Sequence, residues 1–329
     1  MRILMVLANM GDSDRPAVWA TRQIESLRKL GIETEIFLFK NRRSLPGLVR
    51  GGLALRRMAH DFNADLVHVH FGAAQCVVGV LFAGKPVVIS FCGSDLLGNY
   101  DSTGEKTWSG RLSGMLSRVG AVGCRRAIAK TQELKESLWL SGLRKKCDVI
   151  PNGVDLDLFR PMSQAEARAA LGWDHKDSVV LFMDRKGAWV KDPVLAQAAY
   201  QEARKMVGDL RFYVIEHEPP DRMTYLYNAA DALLLTSRHE GSNNTIKEAL
   251  ACNLPIVATD CGDTRERLNG VDGSYVCTRD PHDLGQRLFQ IATSRERSDG
   301  RRHVQELALD KVAHRIKRTY EAVLTERFR

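Results

Sequence analysis

Two glutamates, Glu240 and Glu248, enclose the run Gly241-Ser242-Asn243-Asn244-Thr245-Ile246-Lys247. The apolar run 232–235 before them has the pattern of a buried parallel strand, and an asparagine at 243 or 244 can cap a helix that runs to about Cys252. Amides at such a helix start suit a diphosphate, and a carboxylate one turn into the helix can accept hydrogen bonds from ribose hydroxyls. The spacing therefore indicates a site for a nucleotide-diphosphate sugar, with Glu240 in the loop that could meet the sugar.

This segment closely resembles the Glu-x7-Glu signature of retaining glycosyltransferases of family 4, also called glycosyl transferases group 1, which have the GT-B fold. The alternative is the start of a surface helix with two solvated acids. The flanking strand, the glycine and the Ala-Cys-x-x-Pro helix exit favour the resemblance. It implies that Glu240 acts in catalysis by orienting the donor sugar and that Glu248 holds the ribose. The donor-binding residues between them would be Gly241, Ser242, Asn243, Asn244 and Thr245.

Two cations follow another buried-strand pattern, at 179–183. Transfer of a sugar from a nucleotide requires stabilisation of the departing diphosphate, and positive groups supply most of it. Arg185 and Lys191 have the spacing of the family's Arg-x5-Lys pair, which grips the donor diphosphate. The resemblance therefore assigns both to catalysis, although any basic loop could show this spacing.

The first half of the chain holds further candidates for the donor side. By resemblance, Gly11, in the loop after the first strand, lets backbone amides approach the donor phosphates; a plain turn is the alternative. Family members usually carry histidine immediately before Gly93, where this chain has Cys92. A cysteine keeps the backbone carbonyl contact and loses the imidazole. An active enzyme with altered sugar preference, a weakened enzyme and a donor-binding protein without transfer activity all remain open, and we expect the first.

Three residues are candidates for the acceptor or the edge of the cleft. Asp95 could meet a hydroxyl or simply cap the following turn. His70 shares a strand face with His68, and two histidines at that spacing can bind zinc, but no third ligand is evident nearby in sequence. We expect one packed histidine and one cleft-edge histidine. Asn152 belongs to a Pro-Asn-Gly-Val-Asp run that looks like the family's interdomain segment. No essential metal or cofactor is expected.

Short apolar runs alternate with helical stretches along all 329 residues. This is the pattern of doubly wound α/β domains. The predicted strands are 3–7, 33–38, 66–69, 86–90, 126–129 and 148–150, then 179–183, 210–215, 232–235, 255–258 and 274–276. We expect the GT-B fold, in which two Rossmann-like parallel-sheet domains face a central cleft. Residues 1–155 would form the acceptor-binding domain and 156–309 the donor-binding domain, with a final helix at about 310–329 packing back on the first.

The positive charge is unevenly distributed. Residues 1–155 hold 22 Lys and Arg against 14 Asp and Glu, so the whole net charge of +8 belongs to this half. Such a half favours an acidic partner: a lipid diphosphate, an anionic membrane surface or an acidic glycan. A solvated basic face is the alternative, and no motif for nucleic acid accompanies the charge. The segment 45–62 could be an interfacial helix, or an ordinary amphipathic helix on the first sheet.

The longest apolar stretch is too short to span a bilayer, and the seven scattered cysteines fit reduced thiols. We therefore expect a cytoplasmic protein, with a peripheral position at the inner face of the plasma membrane as an option. The predicted function is retaining, metal-independent transfer of a sugar from a nucleotide-diphosphate sugar to a glycan, lipid-linked or small-molecule acceptor, in cell-surface polysaccharide or glycoconjugate biosynthesis. A nucleotide-sugar-binding protein without transfer activity and a GT-B-fold sugar-nucleotide epimerase are the alternatives.

Overall fold

The structure is a computed structural model that describes residues 1–8, 18–40, 44–184 and 189–325. The chain divides into two compact units. The first unit comprises the described residues of Met1–Asp101, Glu105–Gly153 and Leu309–Arg329, and the second those of Ser102–Gly104 and Val154–Ala308. Each unit holds one sheet whose strands are all parallel.

The first sheet has six strands in the order β2-β1-β3-β4-β5-β6. They are β1 (Arg2–Ala8), β2 (Glu33–Phe39), β3 (Leu66–His70), β4 (Val87–Phe91), β5 (Arg126–Ala129) and β6 (Cys147–Val149). Both central strands β3 and β4 are buried along their whole length, which explains their continuous apolar character. All six predicted strands are confirmed to within one residue at each end.

Helices cover both faces of this sheet. The connecting helices are α1 (Val18–Lys29), α2 (Leu45–Asp61), α3 (Ala73–Phe82), α4 (Ser94–Leu97), α5 (Trp108–Gly123), α6 (Gln132–Glu136) and α7 (Ser141–Lys145). One face carries α2, α3 and α5, which share a core with β3 and β4. Helix α2 lies close to α3, because a Cβ at Gly52 would lie 2.5 Å from the Phe82 ring.

The final helix, α15 (Leu309–Thr325), lies in the first unit, on the face of the sheet that carries α1. Its buried stripe is Val312, Ile316, Tyr320 and Val323. The Tyr320 hydroxyl lies 2.6 Å from His68 Nδ1 inside the sheet. The last helix therefore completes the core of the unit in which the chain begins.

The second sheet has five strands in the order β11-β10-β9-β7-β8. They are β7 (Val179–Met183), β8 (Arg211–Ile215), β9 (Ala232–Leu235), β10 (Ile256–Thr259) and β11 (Tyr275–Cys277). The helices are α8 (Gln164–Leu171), α9 (Pro193–Val207), α10 (Pro220–Ala229), α11 (Asn244–Ala251), α12 (Thr264–Leu268), α13 (Pro281–Ser294) and α14 (Gly300–His303). These strands, too, lie within one residue of their predicted bounds. None of the helices in the described ranges combines the length and the apolar character of a membrane span.

Candidate functional site

The order of the second sheet reverses between β7 and β9, which are neighbours although β8 lies between them in sequence. Ligands of doubly wound sheets bind beyond the carboxyl ends of the strands at such a reversal. The segment after β7 leads to Lys191, and the loop after β9 carries Glu240. The topology therefore brings together two candidate residues that are 49 positions apart in sequence.

Lys191 and Glu240 form an ion pair at this edge. Lys191 Nζ donates to Glu240 Oε1 at 2.5 Å, and the Ser237 hydroxyl donates to the same oxygen at 3.0 Å. The two side chains are only 17% and 19% exposed, so solvent screens the pair weakly. The carboxylate is thus held in place, and it holds an ammonium group at the carboxyl edge of the sheet.

The loops that carry this pair are tied to each other. The Thr236 hydroxyl donates to the carbonyl oxygens of Lys191 and Asp192 at 2.8 and 3.0 Å. Asp192 has a left-handed backbone, with φ of 49°, and its carboxylate accepts from the guanidinium groups of Arg238 and Arg279. Such a backbone conformation costs about 1 kcal/mol or more in a non-glycine residue. The surrounding bonds hold it and fix the position of Lys191.

Helix α11 begins as the sequence predicted. Asn243 is its N-cap, and its side-chain oxygen accepts from the Thr245 amide at 3.0 Å. We predicted that amides at this helix start bind a donor phosphate. In the structure the Thr245 amide donates its hydrogen bond to the capping residue. Lys247 Nζ donates to the Ser242 hydroxyl at 2.8 Å and to the Asn244 side chain at 3.2 Å. A lysine inside the helix therefore holds the loop that precedes it.

The same loop is fixed from the other side by the turn after β10. The Ser242 hydroxyl donates to Asp263 Oδ2 at 2.8 Å. Burial raises the pKa of Asp263, and the nearby Lys247 ammonium opposes that rise. A Cβ at Gly262 would lie 2.2 Å from the Gly241 carbonyl oxygen, and Gly262 has a φ of 57°. Only glycine fits there, so the Gly241 turn rests directly on the neighbouring turn.

Glu248 lies one turn into α11, as predicted. Its Oε2 accepts a hydrogen bond from the Tyr227 hydroxyl at 3.1 Å. Burial, reinforced by the Glu248 charge, raises the pKa of Tyr227 well above its usual range, so the tyrosine stays a donor. The remaining acceptor capacity of a half-buried carboxylate is suited to hydroxyl groups.

The strand order of the first sheet reverses between β1 and β3. His70 is the last residue of β3. His70 is 1% exposed, and its ring lies 4.1 Å from that of His68 and 5.9 Å from that of Trp19. Burial, with the Lys130 charge, lowers the pKa of His70 to about 3. His68 is the packed histidine, since its ring nitrogens lie 2.6 Å from the Tyr320 hydroxyl and 2.8 Å from the Ser90 hydroxyl.

Asp95 caps the turn after β4. Its buried carboxylate accepts from the amides of Gly72, Cys92 and Gly93 at 2.7 to 3.1 Å. These bonds favour the capping interpretation of Asp95, and they place Cys92 beside the loop that follows β3. Burial raises the pKa of the Cys92 thiol to about 12, which disfavours the thiolate form at neutral pH.

Lys130, directly after β5, was missed by the sequence reasoning. It is 1% exposed, and its Nζ has no hydrogen-bond partner among the residues that the structure describes. The same holds for both ring nitrogens of His70. Burial lowers the pKa of Lys130 more than the Cys92 and Asp95 charges raise it. A lysine after an apolar strand gives no signal in sequence, because its burial depends on the neighbouring strands.

Three predicted site residues remain: Gly11, Arg185 and Asn152. Gly11 and Arg185 lie outside the described residues. Asn152 lies in the irregular segment after β6, at the end of the first unit. In the described ranges, no group of three or more His, Cys, Asp or Glu side chains is arranged to hold a metal ion.

Two family profiles match this chain. Residues 6–158 match Glycosyltransferase Family 4, and residues 191–294 match Glycosyl transferases group 1. The chain belongs to this glycosyltransferase family. The predicted GT-B fold, with its two doubly wound parallel sheets, is likewise confirmed.

Relatives within the family are distant. The D-inositol 3-phosphate glycosyltransferase of Segniliparus rotundus is 31% identical over 147 residues, which cover 36% of this chain and 32% of that protein. Among solved structures, sucrose-phosphate synthase from Thermosynechococcus elongatus has a TM-score of 0.81 at 15% identity, with 99% of both chains covered. Anabaena HepE in complex with UDP and glucose has a TM-score of 0.72 at 18% identity, covering 98% of this chain and 100% of its own. These two structures share the fold.

Within this family member, the contacts that the sequence did not predict join elements that are far apart along the chain. Gly262, Asp263 and Tyr227 position the Glu-x7-Glu segment from other elements. Arg238 and Arg279 meet at Asp192. The signal that could have found them is the strand order, because β10 lies next to β9 and its loop must therefore border the segment after β9.

Proposed function

We propose that this protein is a retaining, metal-independent glycosyltransferase that takes a sugar from a nucleotide-diphosphate sugar. The observation that carries the proposal is the Lys191–Glu240 pair at the reversal point of the second sheet, next to the start of α11. The pair combines a cation for phosphate with a carboxylate for sugar hydroxyls, and Glu248 supplies the acceptor for ribose hydroxyls. Family membership supports the reaction class.

In this proposal the diphosphate draws Lys191 away from Glu240 when the donor binds. As the bond between the anomeric carbon and the diphosphate breaks, negative charge grows on the phosphate, and the lysine stabilises it. Arg185 would add a second cation. Glu240, which Ser237 also holds, then accepts hydrogen bonds from the sugar hydroxyls. A new bond forms from the anomeric carbon to a hydroxyl oxygen of the acceptor, and the proton of that hydroxyl passes to the departing diphosphate.

The backbone amides at the start of α11 would contribute less to diphosphate binding than we predicted from the sequence. Because the Thr245 amide donates to Asn243, we propose that the phosphate is held mainly by cations. Gly241, Ser242 and Asn244 would form the wall of the donor site, which Lys247 and Asp263 keep in place.

We place the acceptor at the carboxyl edge of the first sheet, near His70, Asn152 and the loop that Asp95 holds. The buried ammonium of Lys130 adds a donor there that the protein leaves without a described partner. Cys92 would meet the donor sugar through its backbone carbonyl. Glycan, lipid-linked and small-molecule acceptors all remain candidates, and cell-surface glycoconjugate assembly in the cytoplasm is the setting that we propose.

The test is a product assay with UDP-, GDP- and ADP-sugars, in the presence and absence of an acceptor and of EDTA. D-inositol 3-phosphate is the first acceptor to try, because the name of the Segniliparus relative contains it. We expect a glycoside that keeps the anomeric configuration of the donor in its NMR spectrum, formed at the same rate with EDTA. A changed sugar nucleotide without acceptor would identify an epimerase, and donor binding without product would identify a binding protein.

A further inference from the structure

Helix α5 exposes an apolar stripe along its whole length. Its members are Trp108, Leu112, Met115, Val119 and Val122, which recur at steps of four and three residues. Trp108 is 80% exposed, and the other four are between 41% and 60% exposed. A surface helix normally turns such a stripe towards the core. Here the core side is occupied instead by small residues, among them Gly114, Gly120 and Ala121.

Helices α2 and α3, on the same face of the sheet as α5, also carry exposed apolar side chains. Cβ atoms at Gly120 and Gly123 would collide with Cys76 and Val80, so α5 lies directly against α3. Leu81 on α3 is 69% exposed. On α2, which packs against the other side of α3, the exposed apolar residues are Leu45, Val49 and Leu53. The outer surface of these three helices, called the apolar face below, holds nine exposed large apolar side chains.

The opposite face of the same sheet provides an internal comparison. Helices α1 and α15 cover it, and none of their described side chains is a large apolar group with high exposure. The second unit has four such side chains: Val194, Met206, Val214 and Tyr225. Contiguous apolar patches of this kind mark interaction surfaces, whereas scattered single residues do not.

The charges of the apolar face indicate its partner. Helices α2, α3 and α5 together carry five arginines and one aspartate. A second copy of the chain would bring these like charges together. A width of three helices also exceeds the narrow seam of a paired helix. An anionic lipid surface fits both properties, because it accepts apolar side chains at the interface and attracts arginine, and tryptophan is enriched at that depth.

We propose that the apolar face of the first unit binds peripherally to an anionic membrane surface. The sequence suggested α2 alone as an interfacial helix. The structure adds α5, whose stripe is longer and contains Trp108. This inference adds a location to the proposed function and is tested separately from it, because vesicle binding is measured without nucleotide and donor binding without vesicles.

The experiment is co-sedimentation of the whole chain with phosphatidylcholine vesicles, with and without phosphatidylglycerol, at low and high salt. The stripe variant is Leu112→Ser/Val119→Ser. Its matched control is Met206→Ser/Val214→Ser in the second unit, where the exposures are 41% and 44%, against 41% and 48% for the stripe pair. Arg50→Gln/Arg56→Gln tests the charges on α2.

We expect the wild type to sediment with the phosphatidylglycerol vesicles at low salt and to remain in solution with phosphatidylcholine alone. The stripe variant should lose about tenfold or more in partition coefficient, since each side chain loses the free energy of apolar burial. The arginine variant should lose a similar amount, and its remaining binding should depend less on salt than that of the wild type, because fewer charges contribute to it. The control should bind as the wild type does.

Two results would overturn the inference. One is a wild type that stays in the supernatant with every vesicle, and the other is an equal loss in the stripe variant and its control. Sedimentation equilibrium without lipid measures the oligomeric state as a further test. A dimer that dissociates in the stripe variant, in a protein that ignores vesicles, would assign the apolar face to self-association and contradict the membrane proposal.

Discussion

Lys130 and Lys247 are equally buried, each with 1% exposure, but their surroundings differ. Lys247 donates to Ser242 and Asn244 and belongs to a network that fixes the start of α11. Lys130 has no hydrogen-bond partner among the described residues. A buried cation is stable only when other groups satisfy it. At the edge of the second sheet the buried lysine is thus satisfied within the protein, whereas the edge of the first sheet holds a lysine and a histidine whose nitrogens an incoming molecule could satisfy.

The largest effect is expected for Lys191→Met, which removes the Lys191–Glu240 pair at the edge of the second sheet. Removing the cation that stabilises the diphosphate should lower the rate of sugar transfer by about 100-fold or more, the typical loss for one such group. Affinity for a nucleoside diphosphate should fall more than affinity for the monophosphate. Steady-state rates and calorimetry measure both quantities.

The matched control for this prediction is Lys205→Met. It removes another Lys–Glu pair of the second unit, in which Lys205 lies 2.6 Å from Glu202 and is 68% exposed. Exposed pairs contribute little, so rate and affinity should stay within about twofold of the wild type. Equal losses in both variants would show that the position of Lys191 is not what matters.

Asp95→Ala tests the carboxyl edge of the first sheet. There the Asp95 carboxylate holds the loop after β3 and the turn after β4. Three backbone amides would lose their acceptor, and the free energy of unfolding should fall by about 3 kcal/mol. Urea denaturation measures the change. Asp155→Ala is the comparison, because that half-buried carboxylate accepts from two amides at a turn and should cost about 1 kcal/mol. A smaller loss for Asp95 than for Asp155 would contradict the capping role.

The variants Lys130→Met and Lys247→Met test the comparison of the two lysines directly. They should change the free energy of unfolding in opposite directions. Replacing an unsatisfied ammonium by an apolar side chain of similar shape should raise the free energy of unfolding by about 1 kcal/mol. Removing Lys247 leaves Ser242 and Asn244 without their donor and should lower it by about 1–2 kcal/mol. Urea denaturation of both variants is the measurement. A loss in both would mean that Lys130 is already satisfied in the folded protein.

The last prediction concerns pH. The pKa of His70 is about 3 in the folded protein, against about 6.5 unfolded, because burial disfavours the charged ring. The stability that this neutral histidine contributes is present above pH about 6.5 and is lost as the pH falls towards 3. His70→Phe should therefore make the decline of unfolding free energy on acidification shallower by up to about 1.4 kcal/mol per pH unit. Equal slopes from pH 7 to pH 4 in denaturation experiments would show that His70 is solvated.

At the carboxyl edge of the second sheet, the sequence predicted the individual elements but not the contacts between them. Strand bounds, the Asn243 cap and the position of Glu248 within α11 follow from local patterns. The contact of Lys191 with Glu240 does not, because it depends on β7 and β9 becoming neighbours. Lys130 was missed for the same reason, since the burial of a residue after a strand is decided by other strands. The Thr245 amide donates to the Asn243 cap in this structure, and its contact with a donor phosphate stays a prediction.

The central claim, that the second unit binds a nucleotide-diphosphate sugar through Glu248 and Lys191, is tested most directly by calorimetry. UDP, GDP and ADP are titrated into the wild type and Glu248→Gln, followed by the 2′,3′-dideoxy analogue of whichever nucleotide binds. We predict that one series binds and that Glu248→Gln weakens it about tenfold or more, because charged hydrogen bonds to the ribose are lost. The dideoxy analogue should bind both proteins equally. Binding of no series, or an equal loss for the analogue, would contradict this assignment.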